Sequence, residues 1–188
     1  TEEHLEHMTQ KALITLNSLS KTIDGFRAFF KTDEEKKEFD ALKHLHEAVM
    51  ILEAEMRDKQ IDIIESHSID KIIVFGYQHE FQHVCYQLIA NAKDAILYAP
   101  SLFSRTITIS TLCDSEFFTL FVEDEAGGVP SEIAHKIFEP YFTTKATNKG
   151  MGVGLYVSKI IIEDHFGGEI SFHNTERGAV FSIKIPLK

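Results

Sequence analysis

The chain has 188 residues, 44% of them hydrophobic and 26% charged, an ordinary globular composition with enough apolar material for a sizeable core. A formal net charge of −10 argues against a nucleic-acid or anionic-membrane surface, because a phosphate backbone demands a basic face. Cys85 and Cys113 have neither metal-ligand spacing nor a paired framework, so both read as reduced, semi-buried thiols of a cytoplasmic protein, and no apolar run is long enough to span a bilayer.

Apolar residues first recur in steps of three and four, through Leu5, Met8, Ala12, Leu16, Leu19, Ile23, Phe26 and Phe30. This seam predicts one long helix that needs a helical partner. The polar opening Thr1-Glu2-Glu3-His4 is no signal peptide, and a start inside a helical pattern is expected of a piece of a longer protein. Thr32-Asp33-Glu34-Glu35-Lys36-Lys37-Glu38 is almost wholly charged and reads as a linker, dividing a first unit, 1–38, from a domain over 39–188.

Beyond that boundary the pattern predicts a helix over 42–57, short strands over 61–65 and 71–75, and a longer helix over 79–97. Alternation at Ile107/Ile109 and at Phe118/Leu120/Val122 predicts a hairpin. A glycine-bearing region over 126–154 leads into a helix over 155–165, and strands around Ile170 and over 180–185 close the chain. The expected fold is α+β, a two-layer sandwich of one sheet with helices on one face.

Four separated features carry chemistry. The helix over 79–97 bears Gln87, Asn91, Lys93 and Asp94, with Asn91 on the border of its apolar face, where an amide can reach a ligand or cap a neighbouring backbone group. Asp124-Glu125-Ala126-Gly127-Gly128-Val129 follows an apolar strand. A carboxylate there can accept from the exocyclic amine of adenine while the glycines let a planar base approach, or the segment is a β-turn with a surface acid. Gly150-Met151-Gly152-Val153-Gly154-Leu155 opens directly into a helix, exposing backbone N–H groups that suit a polyphosphate. Ile137-Phe138-Glu139-Pro140-Tyr141-Phe142 sets aromatics around a proline before a polar stretch, either as the anchor of a lid or as core.

In this order and spacing the four features resemble the boxes of histidine-kinase catalytic domains, in the superfamily that also holds gyrase, the Hsp90 chaperones and the mismatch-repair protein MutL. The resemblance covers 39–188 and implies the Bergerat ATP-binding fold, a mixed sheet with helices on one face, preceded here by one long N-terminal helix. Asn91 matches the family's magnesium-binding asparagine, Asp124 its adenine-binding aspartate, Phe138 and Phe142 its phenylalanine box, and Gly150, Gly152 and Gly154 its second glycine box. Gly178-Ala179-Val180-Phe181 followed by Pro186 is similar to the closing glycine and strand. Residues 20–30 resemble the second helix of the dimerisation and phosphotransfer bundle. The first helix, which carries the acceptor histidine in the family, has no counterpart, and none of the ten histidines has the acceptor's context. Two positions depart from the pattern: Ala126 stands at the first glycine of the adenine loop, where it is expected to tighten the base pocket or weaken affinity, and Gln87 replaces an asparagine one turn before Asn91.

The resemblance implies an ATP-dependent histidine kinase of two-component signal transduction, working with ATP and Mg²⁺ and binding ADP. Asp124, Gly128 and Val129 hold adenine; Asn91 and Gln87 face Mg²⁺; Gly150, Gly152, Val153, Gly154 and Leu155 meet the phosphates, with Asp94, Thr144 and Lys145 or Lys93 nearby. It also implies partners: an acceptor helix, a response-regulator receiver domain and a second copy in a homodimer, with no nucleic acid, and it allows a membrane-anchored parent. A hydrolase of the superfamily would carry a glutamate at Gln87, and a non-catalytic sensing module is the remaining alternative. His79/His83 and His44/His46 lack a third ligand and read as solvated histidines.

Overall fold

The computed structural model describes residues 35–99, 104–145 and 151–187. The chain divides into two units at Glu35/Lys36, and the helix expected over 5–30 lies outside the described residues. In chain order the second unit comprises β1 (Lys37–Asp40), α1 (Ala41–Asp58), β2 (Asp62–His67), β3 (Ile73–Gly76), α2 (Gln78–Tyr98), β4 (Thr106–Cys113) and β5 (Phe117–Asp124). A single turn, α3 (Ser131–Ala134), precedes α4 (Gly154–Ile160), a π-helical turn (Ile161–His165), β6 (Glu169–Asn174) and β7 (Ala179–Pro186).

Five strands form one mixed sheet in the order β2-β4-β5-β7-β6, with β2 parallel to β4 and every other pairing antiparallel. Alternation decides which face is covered: Ile107, Ile109 and Thr111 on β4, and Phe118, Leu120 and Val122 on β5, are buried. The same parity carries Asp124, the last residue of β5, to the covered face, which explains why a carboxylate at a strand end is only 2% exposed. Helix α1 buries Ala41, Leu45, Ala48, Val49, Leu52 and Met56 along one stripe. Asp40 caps it, its Oδ1 accepting from Leu42 N at 3.2 Å and from Ile72 N at 3.3 Å. Phe81 of α2 sits in an aromatic cluster with Phe39, Phe118 and Phe166 at ring-centroid distances of 5.5, 6.0 and 6.4 Å.

That cluster fixes the polarity of the domain. Helix α2 leaves it at Phe81 and runs toward Gln87 and Asn91. Helix α4 starts beside Gln87 and returns to the cluster at Phe166, and β6 then runs back along it to Asn174. The segments bearing the candidate residues therefore lie toward the end of the sheet remote from Phe166.

Three expectations change. Lys37 and Glu38, read as linker, begin β1, which pairs antiparallel with β3 in a separate two-stranded ribbon (Lys37↔Gly76, Phe39↔Val74), so there is a second sheet. A four-residue strand with one inward apolar residue has too little alternation to declare itself, and its partner is set by tertiary contact. The helix over 155–165 has the expected extent, but its last turn widens, Phe166 N donating to Ile161 O at 3.2 Å. His44 is buried and His83 half-buried, so these two are not solvated histidines, whereas His46 and His79 are exposed. Among the described residues no helix is long and apolar enough to cross a membrane.

Candidate functional site

The site begins with Asp124. Its Oδ1 accepts from Ala126 N at 2.9 Å, and burial pushes its carboxyl above the ordinary aspartate range, opposed by hydrogen bonds from the backbone of Ala126 and Ala179. Gly178 is pressed so closely on the carbonyl of Asp124 that a Cβ there would overlap it. Among the described residues the positive-φ positions of the following loop are Gly127 (+89°) and Gly128 (+83°), not Ala126. The alanine that departs from the family pattern therefore occupies ordinary backbone, and its N–H anchors the carboxylate.

Gln87, Asn91 and Asp94, spaced by four and three, share one stripe of α2. Asn91 Nδ2 is buried and, among the described residues, has no hydrogen-bond partner, a costly state that a polar ligand would relieve. Lys93, two residues from Asn91 and so on the far side of the helix, is 8% exposed and pairs with Glu55 of α1 at 2.7 Å. Lys145 reaches the stripe from the segment after the aromatic box: its ammonium pairs directly with the carboxylate of Asp94, and Thr143 Oγ1 accepts from its N–H at 3.1 Å. Thr144 beside it is exposed. The structure thus gathers Gln87, Asn91, Asp94 and Lys145, and Lys93, which leaves the helix on another side, still brings its ammonium to 3.8 Å from Asp94 Oδ1.

The second glycine segment closes onto both neighbours. Gly154, the first residue of α4, lies against the side-chain oxygen of Gln87, where a Cβ would collide with it. Gly152, at φ +65°, packs on the backbone of Tyr141 and Phe142, and Tyr141 itself holds φ +65°, a strained conformation for a bulky residue. Val153 precedes α4, Leu155 is half-buried within it, and Gly150 lies outside the described residues. Phe138 stands 6.3 Å from Phe172 and 6.5 Å from Phe181, so it serves as packing and as anchor for the segment that follows.

Sequence reasoning missed two participants. Asn174 hydrogen-bonds Val129 through both amide atoms, and the carbonyl of Arg177 accepts from Gly127 N at 2.8 Å. No local signal marks either, because the partners are about fifty residues away in the chain.

A buried carboxylate at a strand end, a glycine loop beside it and an amide-bearing helix against a second glycine segment define a nucleotide-binding fold of the ATPase class. The chain belongs to the histidine kinase-, DNA gyrase B- and HSP90-like ATPase family, whose model matches residues 76–188. It is 33% identical over 151 residues to the two-component sensor PprA of Pseudomonas aeruginosa, covering 79% of this chain and 16% of that protein. The catalytic domain of histidine kinase ThkA superposes with a TM-score of 0.71 at 28% identity, covering 81% of this chain and 96% of that one. The ThkA structure in complex with the response regulator TrrA gives a TM-score of 0.70 at 26% identity, covering 93% of this chain and 50% of that one. The chain spans about a sixth to a quarter of the length of the curated relatives it matches.

Proposed function

We propose that this chain is the catalytic, ATP-binding part of a sensor histidine kinase, which transfers the γ-phosphoryl group of Mg-ATP to a histidine on a dimerisation helix outside this sequence. Residues 1–35 belong to the dimerisation bundle and its linker, and 36–188, which include β1, to the catalytic domain. The observation that carries the reading is the buried, unpartnered Nδ2 of Asn91, a donor that suits a phosphate oxygen, on the stripe shared with Asp94 and with Gln87, which lies against Gly154.

The residues present fit Mg-ATP. Asp124 accepts from the exocyclic amine of adenine, and the backbone of Gly128 and Val129 forms the wall beside it. Asn91 and Gln87 offer amide oxygens, and among the described residues no cluster of three or more His, Cys, Asp or Glu could hold a metal. Two neutral oxygens suit Mg²⁺, which keeps water and takes most of its charge compensation from phosphate. When bound with the nucleotide, the metal neutralises developing charge on the phosphates. The N–H groups of Gly152, Val153 and Gly154 face phosphate oxygens, and Lys145, held beside them by Asp94, supplies the positive charge, while the nearer partner of Lys93 is Glu55.

Gln87 also selects the acceptor. An amide cannot take a proton from water at neutral pH, so direct hydrolysis lacks a base, and the nucleophile is an imidazole delivered by the other domain. The full-length protein then acts as a homodimer on the cytoplasmic side and passes the phosphoryl group to a response-regulator receiver domain. The deciding experiment incubates the full-length parent with γ-labelled ATP and Mg²⁺. Incorporation of acid-labile, base-stable label is expected; rapid phosphate release with no label on the protein would overturn the reading in favour of a hydrolase.

A further inference from the structure

We propose that Asn174 is a positioning residue that sets the width of the base pocket and thereby the preference for adenine; the inference rests on the adenine role proposed for Asp124. Asn174 is the last residue of β6 and is exposed. Its Oδ1 accepts from Val129 N at 2.9 Å and its Nδ2 donates to Val129 O at 2.7 Å, so the side-chain amide pairs with a peptide unit as a neighbouring strand would. Only this orientation of the amide satisfies both partners; a flip would set N–H against N–H and oxygen against oxygen.

The two ends of the pocket stand on one rigid frame. Asp124 ends β5 and Asn174 ends β6, with β7 between them (Glu123↔Val180, Asn174↔Ala179), a span of two strand spacings, roughly 10 Å. The loop 125–129 arches over the start of β7 to cover that span, which is why Gly178 beneath it has no room for a side chain. Two consecutive left-handed glycines make this arch readily deformable. Gly127 is held by the Arg177 carbonyl on one flank, and Asn174 holds the other. A Cβ on Gly128 would stand 2.9 Å from Asn174 Oδ1, so the amide also dictates glycine at that position.

With the arch pinned, Val129 and Gly128 keep a constant distance from the Asp124 carboxylate, matched to a ring that offers an amine there. Released, the arch can admit a purine that carries a carbonyl in place of that amine. Asn174 touches neither base nor phosphate in this arrangement and acts through Gly128 and Val129.

The test compares wild type with Asn174→Ala and Asn174→Asp by calorimetric titration with Mg-ATP, Mg-ADP and Mg-GTP, alongside melting temperatures without nucleotide. The Asp variant keeps the acceptor for Val129 N but sets a carboxylate oxygen against Val129 O. Both variants are expected to lose about tenfold in affinity for ATP and for ADP alike, with the ATP-to-GTP affinity ratio falling at least about threefold and the unliganded melting temperature within a few degrees of wild type. An unchanged ATP-to-GTP ratio, with or without a lower melting temperature, overturns the proposal and leaves Asn174 as a structural staple. Wild type that binds no adenine nucleotide at all sinks the adenine reading and this inference together, whereas binding with unaltered variants sinks the inference alone.

Discussion

The side-chain oxygen of Gln87 occupies the space that a Cβ on Gly154 would need. This contact joins the helix proposed to face magnesium to the segment proposed to face phosphate. It separates two glycines that look alike in the sequence. The far end of a glutamine can swing away, so Gly154→Ala is expected to fold normally and lower nucleotide affinity only severalfold. At Gly152 the obstruction is the backbone of Tyr141 and Phe142, and φ is +65°. Gly152→Ala is therefore expected to destabilise the domain by about 2 kcal/mol or more, read from denaturant midpoints at unchanged slope.

On the proposed kinase reading, Gln87 also sets the fate of the phosphoryl group. Gln87→Glu places a proton acceptor one turn before Asn91, and steady-state phosphate release is expected to rise tenfold or more. No rise in a coupled phosphate assay would show that water is not positioned there.

At Asp124 stability and binding oppose each other. Burial raises its carboxyl pKa above the unfolded value, so the folded state binds this proton more tightly and stability falls as pH rises from the unfolded pKa through the folded one. Asp124→Asn removes the buried charge while keeping an oxygen for Ala126 N. Its unliganded melting temperature at pH 7 is expected to equal or exceed wild type, while ATP affinity drops by a factor of about ten to a hundred. A parallel loss of both would mean that the carboxylate serves the fold alone.

Lys145 pairs with Asp94. Lys145→Ala is expected to weaken ATP binding more than ADP binding, because the ammonium is drawn to the terminal phosphate. Asp94→Asn should raise the salt sensitivity of ATP binding by releasing that charge. Titrations at two ionic strengths measure both effects.

His83 gives an acid signature unrelated to catalysis. Burial lowers its pKa from 6.5 to about 4. The unfolded chain takes up this proton near pH 6.5 and the folded domain only near 4, so stability is expected to decline by roughly 2–3 kcal/mol as pH falls across that window. His83→Gln should flatten this limb in thermal melts taken from pH 7 to 4.

Much of the architecture, and the segments that carry the candidate site, was legible in the residues alone. The period-2 runs of β4 and β5 and the 3.6-residue stripe of α2 declare their elements, because apolar side chains must share one face to be buried. The glycines of the two loops declare themselves because few other residues take such backbone. The motif order suffices to identify the family. The inward parity of Asp124 could have been counted from Phe118, although its 2% exposure could not.

What the amino-acid order determined, then, were the elements, the family and the segments that carry the candidate residues, since each rests on interactions within a turn or a strand. Only the tertiary structure decided that β1 leaves the main sheet for β3, that Lys93 pairs with Glu55 and Lys145 with Asp94, and that Asn174 holds Val129 from 45 residues away. Those contacts join distant parts of the chain, and a side chain's choice among several chemically equal partners is made by distance, which exists only once the layers have packed.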